Sequence, residues 1–170
     1  MSQLFPKEDW NSAYEEAGYE RLYQNGIRGI IFDIDNTMVE HGAPVNGKAV
    51  LLVKRLRERG FAVCFLSNNK EPRVKSFCEP LGAKYIYKGG KPKREGYEKA
   101  MKLMGVTKEQ TVSVGDQIFT DIWGANRAGV YTVLVKPIGK KEEIQIVLKR
   151  YLERIVLYFY RKQKKGGTKA

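Results

Sequence analysis

The sequence predicts an α/β fold: one domain built on a central parallel sheet with helices on both faces. Three observations carry this. Short apolar runs alternate with amphipathic stretches from residue 29 to residue 135. The links between them are short and rich in turn-forming residues, and such alternation reads as parallel strands joined by helical crossovers. The residues able to do chemistry gather just after the apolar runs, and ligands of open α/β sheets bind outside the carboxyl ends of the strands. A chain of 170 residues is long enough for one core and too short for two.

Taken in order, residues 8–24 are expected to be helical, with Trp10, Tyr14, Ala17, Leu22 and Tyr23 as the apolar positions and Gly18 as a weak point. Asn25-Gly26 breaks the chain. Gly29-Ile30-Ile31-Phe32 then reads as a buried strand running into Asp33-Ile34-Asp35-Asn36-Thr37. Extended residues alternate between faces, but where a strand frays into a turn Asp33 and Asp35 can converge on one small volume. Residues 46–59 have helical periodicity through Val50, Leu51, Val53 and Leu56, with Gly60 as the stop. A strand over 61–66 ends in Ser67-Asn68-Asn69. A helix near 70–79 accommodates Pro72 in its first turn. Tyr85-Ile86-Tyr87 leads to Gly89-Gly90-Lys91-Pro92. A helix over 93–104 precedes a strand over 111–114, which ends in Gly115-Asp116 with Asp121 five residues on. A helix over 119–128 and a strand over 130–135 complete the alternation. Only residues 166–170 read as frayed.

Composition bounds the function. The net charge is +12, but from Lys136 onward 11 Lys and Arg face 3 Glu, so +8 belongs to the tail and +4 to residues 1–135. Cys64 and Cys78 have neither Cys-x-x-Cys spacing nor His partners and read as buried thiols of a reducing compartment. His41 is the single histidine, which excludes a His-rich metal site. The first residues are polar and no apolar run is long enough to span a bilayer, so a cytoplasmic protein is expected.

Four motifs stand in register: Asp33-x-Asp35-x-Thr37, a hydrophobic run ending in Ser67-Asn68, Lys91-Pro92, and Gly115-Asp116-x4-Asp121. In this order they resemble the motif set of the haloacid dehalogenase (HAD) superfamily, over roughly residues 28–136. The wording is most similar to the small class IIIA, YqeG-like phosphatases, a group associated with phosphatidylglycerophosphate phosphatase activity. The Gly-Gly before Lys91 departs from the small non-glycine residue expected there. The resemblance implies a Rossmann-like sheet of order 5-4-1-2-3 with the first strand central. It also implies that the chain is capless, because neither usual insertion point has room for a cap. An open site suits a phosphate carried on something large, such as a lipid head group, a protein or a nucleic-acid end.

The chemistry the resemblance implies is Mg2+-dependent hydrolysis of a phosphate monoester. Asp33 is the candidate nucleophile, forming an aspartyl-phosphate, and Asp35 the general acid and then base. Asp33, Asp116, the carbonyl of Asp35 and, directly or through water, Asp121 offer oxygen ligands to Mg2+. Ser67 and the amide of Asn68 would bind the phosphoryl oxygens, and Lys91 would stabilise charge in the transition state. Plainer readings stand beside these. Ser67 fits a helix N-cap, Asp121 a partner for a helix dipole, and Lys91 shares its stretch with Lys88, Lys93 and Arg94.

The tail is the second feature. From 142 to 162, Ile144, Val147, Leu148, Tyr151, Leu152, Ile155, Tyr158 and Phe159 recur at helical spacing, and Arg161, Lys162, Lys164 and Lys165 follow. A helix over about 141–162 is expected, either lying on an anionic membrane surface or docked on the sheet or in a dimer. The oligomeric state is open. Dephosphorylation of phosphatidylglycerophosphate is the leading reading. A polynucleotide end phosphatase, a protein phosphatase and a ribosome- or RNA-associated assembly factor are the alternatives.

Overall fold

A computed structural model of the chain describes residues 2–139 and 144–166, with side chains up to residue 139 and from 150 to 163. The sheet contains β1 (Glu8–Trp10), β2 (Gly29–Phe32), β3 (Ala62–Leu66), β4 (Lys84–Ile86), β5 (Thr111–Gly115) and β6 (Tyr131–Val135). Their order is β1-β6-β5-β2-β3-β4, with every pairing parallel. The expected five-strand order is present as β6-β5-β2-β3-β4, with β2 central, and β1 adds a sixth strand at the edge.

That sixth strand corrects the N-terminal expectation. Residues 8–24 are not helical throughout: β1 is followed by α1 (Glu16–Gln24). Trp10 explains both halves. Its indole N–H donates to Glu8 Oε2 at 2.8 Å, and Glu8 Oε1 accepts the Tyr131 hydroxyl at 2.9 Å, which ties β1 to β6. The Trp10 ring meets Tyr19 edge-on at 5.0 Å. It fills the space a Cβ on Gly18 would need, with a ring carbon 2.4 Å from that position. Gly18 is therefore where α1 admits the tryptophan of the strand.

The remaining helices are α2 (Gly47–Glu58), α3 (Glu71–Cys78), α4 (Glu95–Met104), α5 (Trp123–Arg127) and α6 (Ile144–Gly166). Asn46 caps α2, its Oδ1 accepting from the Ala49 amide at 3.0 Å. The helix expected over 119–128 is split, because a wide π-helical turn, Ile118–Ile122, precedes α5. The amides of both Asp121 and Ile122 return to the Gln117 carbonyl, which lets the chain bulge around the buried Asp121.

Alternation along the strands sends side chains to two cores. Ile30, Phe32, Val63 and Phe65 face one, with α1, α2 and α3 packed over it. Ile31, Cys64 and Leu66 face the other, under α4 and α5. Phe32 stacks on Phe65 at 5.7 Å, and Phe77 of α3 meets Phe65 edge-on at 5.4 Å. Burying each such ring contributes about 1.5–3 kcal/mol, so β2 is held firmly where it delivers Asp33. Cys64 and Cys78 are buried and unbonded to each other, and burial pushes both thiols up to about 12. Among the described residues no helix is long and apolar enough to cross a membrane. The side chains of Ile144, Val147, Leu148, Lys164 and Lys165, read as part of the tail pattern, lie outside the described residues, as do residues 167–170.

Candidate active site

The site is built at the carboxyl edge of the sheet, where β2, β3 and β5 end. β2 pairs for one residue past Phe32, the Asp33 amide donating to the Val114 carbonyl at 3.0 Å. The chain then turns sharply. Asn36 takes a left-handed backbone at φ 64, and the Met38 amide closes on the Ile34 carbonyl at 2.9 Å. The turn brings the Thr37 hydroxyl 3.3 Å from Asp33 Oδ2 and 3.1 Å from Asp116 Oδ1. One hydroxyl proton serves either carboxylate.

Lys91 is the centre of charge. Its side chain is 5 % exposed, and Nζ donates to Asp33 Oδ1 at 2.5 Å and Asp121 Oδ1 at 2.6 Å. Asn68 holds it there through a reciprocal pair: Lys91 N donates to Asn68 Oδ1 at 2.8 Å and Asn68 Nδ2 to the Lys91 carbonyl at 3.0 Å. The Asn68 side chain is thus spent on positioning, and what it can offer a ligand is its backbone amide. Ser67 is buried, and its Oγ accepts from the Asn69 amide at 3.1 Å, which leaves its own proton to be directed elsewhere.

Asp116 and Asp121 come from the loop after β5. Asp121 Oδ2 accepts from the Gln117 amide at 3.1 Å, and Tyr97 donates to the Asp121 carbonyl at 3.0 Å. Gly115 is required beneath them, since a Cβ there would lie 2.5 Å from Asp121 Cγ. One oxygen from each of Asp33, Asp116 and Asp121 falls within 4.8 Å of the others. Burial first, then the neighbouring carboxylates, push Asp33 up to about 8 and Asp116 up to about 6, against the opposing pull of Lys91 and Arg150 respectively. Burial alone would lower Lys91, but Asp121 and Asp33 outweigh it and hold its ammonium well above the usual range. Three crowded carboxylates with hard oxygen donors fit a small divalent cation, which would relieve their mutual repulsion.

Asp35 does not join that cluster. Its carboxylate turns away: Oδ1 accepts from the Gly42 amide and from Arg73 Nη2, both at 2.8 Å, and Oδ2 from Asn69 Nδ2 at 2.7 Å. As a metal ligand it has only its backbone carbonyl to offer. The second lone pair of Oδ2 remains the place where a proton can be carried.

Sequence reasoning missed four residues here. Thr37 stood inside a motif without a role. Asn69 follows the 61–66 strand with no pattern that points to Asp35. Arg73 lies in a helix whose spacing gives no hint of its reach to Asp35. Arg150 is the furthest from expectation. It comes from α6, where nothing separates it from the other tail cations, and it donates to the Asp116 carbonyl at 2.8 Å and pairs with Asp116 Oδ2. Glu153, one turn on, accepts from the Ile118 amide at 2.8 Å, and burial pushes its carboxyl up to about 7. A lone acid three residues after an arginine was the available signal.

A sequence model of the haloacid dehalogenase-like hydrolase family matches residues 39–129, which takes in Ser67, Lys91, Asp116 and Asp121. The chain is 39% identical over 139 residues to the probable phosphatase YqeG of Bacillus subtilis, covering 81% of each chain. It is 28% identical over 164 residues to phosphatidylglycerophosphate phosphatase 1, chloroplastic/mitochondrial, of Arabidopsis thaliana, covering 89% of this chain but 46% of that one. The chain therefore spans less than half the length of the plant protein. Among solved structures, the cobalt-bound deoxy-D-mannose-octulosonate 8-phosphate phosphatase of Haemophilus influenzae superposes with a TM-score of 0.53 at 20% identity, over 65% of this chain and 69% of that one. That likeness concerns the fold.

Proposed function

We propose, because the chain belongs to the haloacid dehalogenase-like hydrolases and is a phosphatase of that family, that it hydrolyses phosphate monoesters with Mg2+ through a phospho-Asp33 intermediate, on a lipid head group. The observation that carries the chemistry is Lys91 Nζ shared between Asp33 and Asp121, with Asp116 beside them. An anionic nucleophile meets an anionic phosphate, so positive charge must be in place first. Mg2+ held by Asp33, Asp116, Asp121 and the Asp35 carbonyl would screen that repulsion and orient the two reactants. Asp33 attacks phosphorus while the leaving alcohol takes a proton from Asp35. The Asp35 carboxylate then takes a proton from the water that cleaves the aspartyl-phosphate, releasing orthophosphate and restoring Asp33. Ser67, the Asn68 amide and Lys91 hold the phosphoryl oxygens.

Two observations support the lipid substrate. Residues 38–46 and 68–90, where a cap would be inserted, are taken up by a short loop and by α3 and β4, so the site is open. The plant relative that aligns along most of this chain is a phosphatidylglycerophosphate phosphatase. The deciding assay measures phosphate release from phosphatidylglycerophosphate vesicles, a 3′-phosphorylated oligonucleotide and a phosphoprotein, with Mg2+ and with a chelator. The vesicles should be preferred, and the chelator should abolish release. Preference for either other substrate would overturn the lipid assignment while leaving the chemistry standing.

The geometry around Asp35 gives a sharper expectation. Arg73, Asn69 and the Gly42 amide fix that carboxyl, and its proton matters most when the leaving group is poor. Arg73→Gln should lower kcat/KM for an alkyl monoester such as glycerol phosphate by about tenfold or more, while p-nitrophenyl phosphate, whose leaving group needs no proton, is nearly spared. Since kcat/KM reports the first transfer, the later water attack does not obscure the contrast. Equal losses on both substrates would reduce Arg73 to a structural role.

A further inference from the structure

We propose that the outward face of α6 is a bilayer-binding surface that seats this protein on anionic lipid. The inference rests on the proposed lipid substrate only for its purpose; the surface itself is read from α6.

The helix has two faces of different character. At about 100° per residue, Arg150, Glu153, Leu157 and Tyr160 fall on one side. That side is engaged. Arg150 grips Asp116, Glu153 is 5 % exposed on the Ile118 amide, and the Tyr160 ring lies 5.4 Å from Phe5. Tyr151, Leu152, Ile155, Tyr158 and Phe159 fall on the opposite side, and all five are 47–64% exposed. These are half of the ten large apolar side chains standing exposed on the described surface, gathered within three turns of one helix. Arg154, Arg161 and Lys162 are exposed on the same helix.

The chemistry selects the occupant. Leu152 and Ile155 offer nothing to a nucleic-acid backbone, whereas two aliphatic and three aromatic side chains suit the boundary between acyl chains and head groups. A second copy of α6 would set these cations against their own kind. Charge complementarity is with an anionic surface, since the tail from Lys136 holds +8 of the chain's +12. The helix that binds lipid on its outer face would grip Asp116 on its inner one, so attachment holds the catalytic edge of the sheet close to the interface.

The test uses the full chain and phosphatidylcholine vesicles with or without phosphatidylglycerol, neither containing a phosphomonoester lipid. Co-sedimentation should require phosphatidylglycerol and weaken as salt rises. Ile155→Ser, Tyr158→Ser and Phe159→Ser made together should lower the partition coefficient at least about tenfold, and Arg161→Gln with Lys162→Gln by a similar factor. Both variants should keep wild-type turnover of p-nitrophenyl phosphate and a wild-type melting temperature, because Arg150, Glu153, Leu157 and Tyr160 are left in place. Undiminished vesicle binding by the apolar variant would overturn the proposal. So would sedimentation equilibrium showing a dimer that this variant dissolves while lipid binding persists, or tighter retention by RNA than by anionic vesicles. A protein that bound vesicles as described but released no phosphate from any monoester would retain the surface and lose the proposed reaction.

Discussion

Asp33→Asn should stop turnover and leave the fold standing. The substitution keeps the volume of the side chain at the end of β2 but removes the attacking oxygen, and loss of a nucleophile leaves at most about 10⁻⁴ of the rate. Phosphate release on every substrate the wild type accepts is the measurement. Retention of a tenth of the activity on any of them would end the phospho-Asp33 mechanism. The same variant has a stability signature in chelator. Burial, then Asp121 and Asp116, push the Asp33 carboxyl up to about 8, while an unfolded aspartate titrates near about 3.9. The folded protein therefore prefers the protonated form, and ionisation of Asp33 destabilises it progressively as pH rises from about 4 to about 8. Lys91 stays charged throughout that window, so its ionisation adds no slope there. The amide that replaces the carboxyl in the variant has no such proton to lose. The melting-temperature difference, variant minus wild type, should widen in the variant's favour across that interval and stop growing above it. Saturating Mg2+ should narrow it again by stabilising only a protein with its carboxylates intact.

What could be read from the chain and what could not follow from how far each signal reaches. The Gly29–Phe32 run, the apolar stretches at 61–66 and 111–114, and the turn residues between them are local signals, and the structure has strands at all three. Trp10 is different. Its strand exists only because β6, more than 120 residues away, offers an edge, and three residues with one buried tryptophan have no period to detect. The π-helical turn at Ile118–Ile122 escapes helical periodicity for a related reason, since a buried Asp121 and not an apolar stripe shapes it. At the site, motif spacing could place Asp33, Lys91, Asp116 and Asp121 at one sheet edge because Asp33 and Asp116 directly follow β2 and β5 and the other two lie within a few residues of the ends of β4 and β5. It could not say which way Asp35 faces. That depends on Arg73 and Asn69, whose helix and turn positions look like ordinary solvated ones. Arg150 reaches Asp116 only by tertiary docking of α6, and a basic tail gives no reason to choose one cation over ten others.

Lys91→Met should damage catalysis and stability together, and the two losses should separate when metal is added. Lys91 is buried between Asp33 and Asp121, and methionine fills much the same space without the charge. Removing one partner of a buried pair leaves uncompensated charge, at a cost of roughly 3–5 kcal/mol. For a chain of this length that lowers the melting temperature by roughly 6–20 °C in chelator near neutral pH. The deficit should shrink as pH falls and the carboxylates take up protons, because the group that lost its cation is then no longer charged. A divalent ion at the carboxylate cluster should restore much of the melting temperature by supplying positive charge. It should not restore turnover. Among the described residues Lys91 is the cation in contact with the proposed nucleophile, and removing a single positioned donor of this type costs about 10²–10³ in rate. Lys88, Lys93 and Arg94 are exposed neighbours in the same basic stretch. Lys93→Met is therefore the control, expected to melt and turn over like the wild type. If Lys93→Met matched the loss in Lys91→Met, the basic stretch would act as a general field and Lys91 would have no particular place in the reaction. If Lys91→Met melted like the wild type in chelator, the Lys91 ammonium would compensate no charge in the folded protein and its pairing with Asp33 and Asp121 would carry no stability.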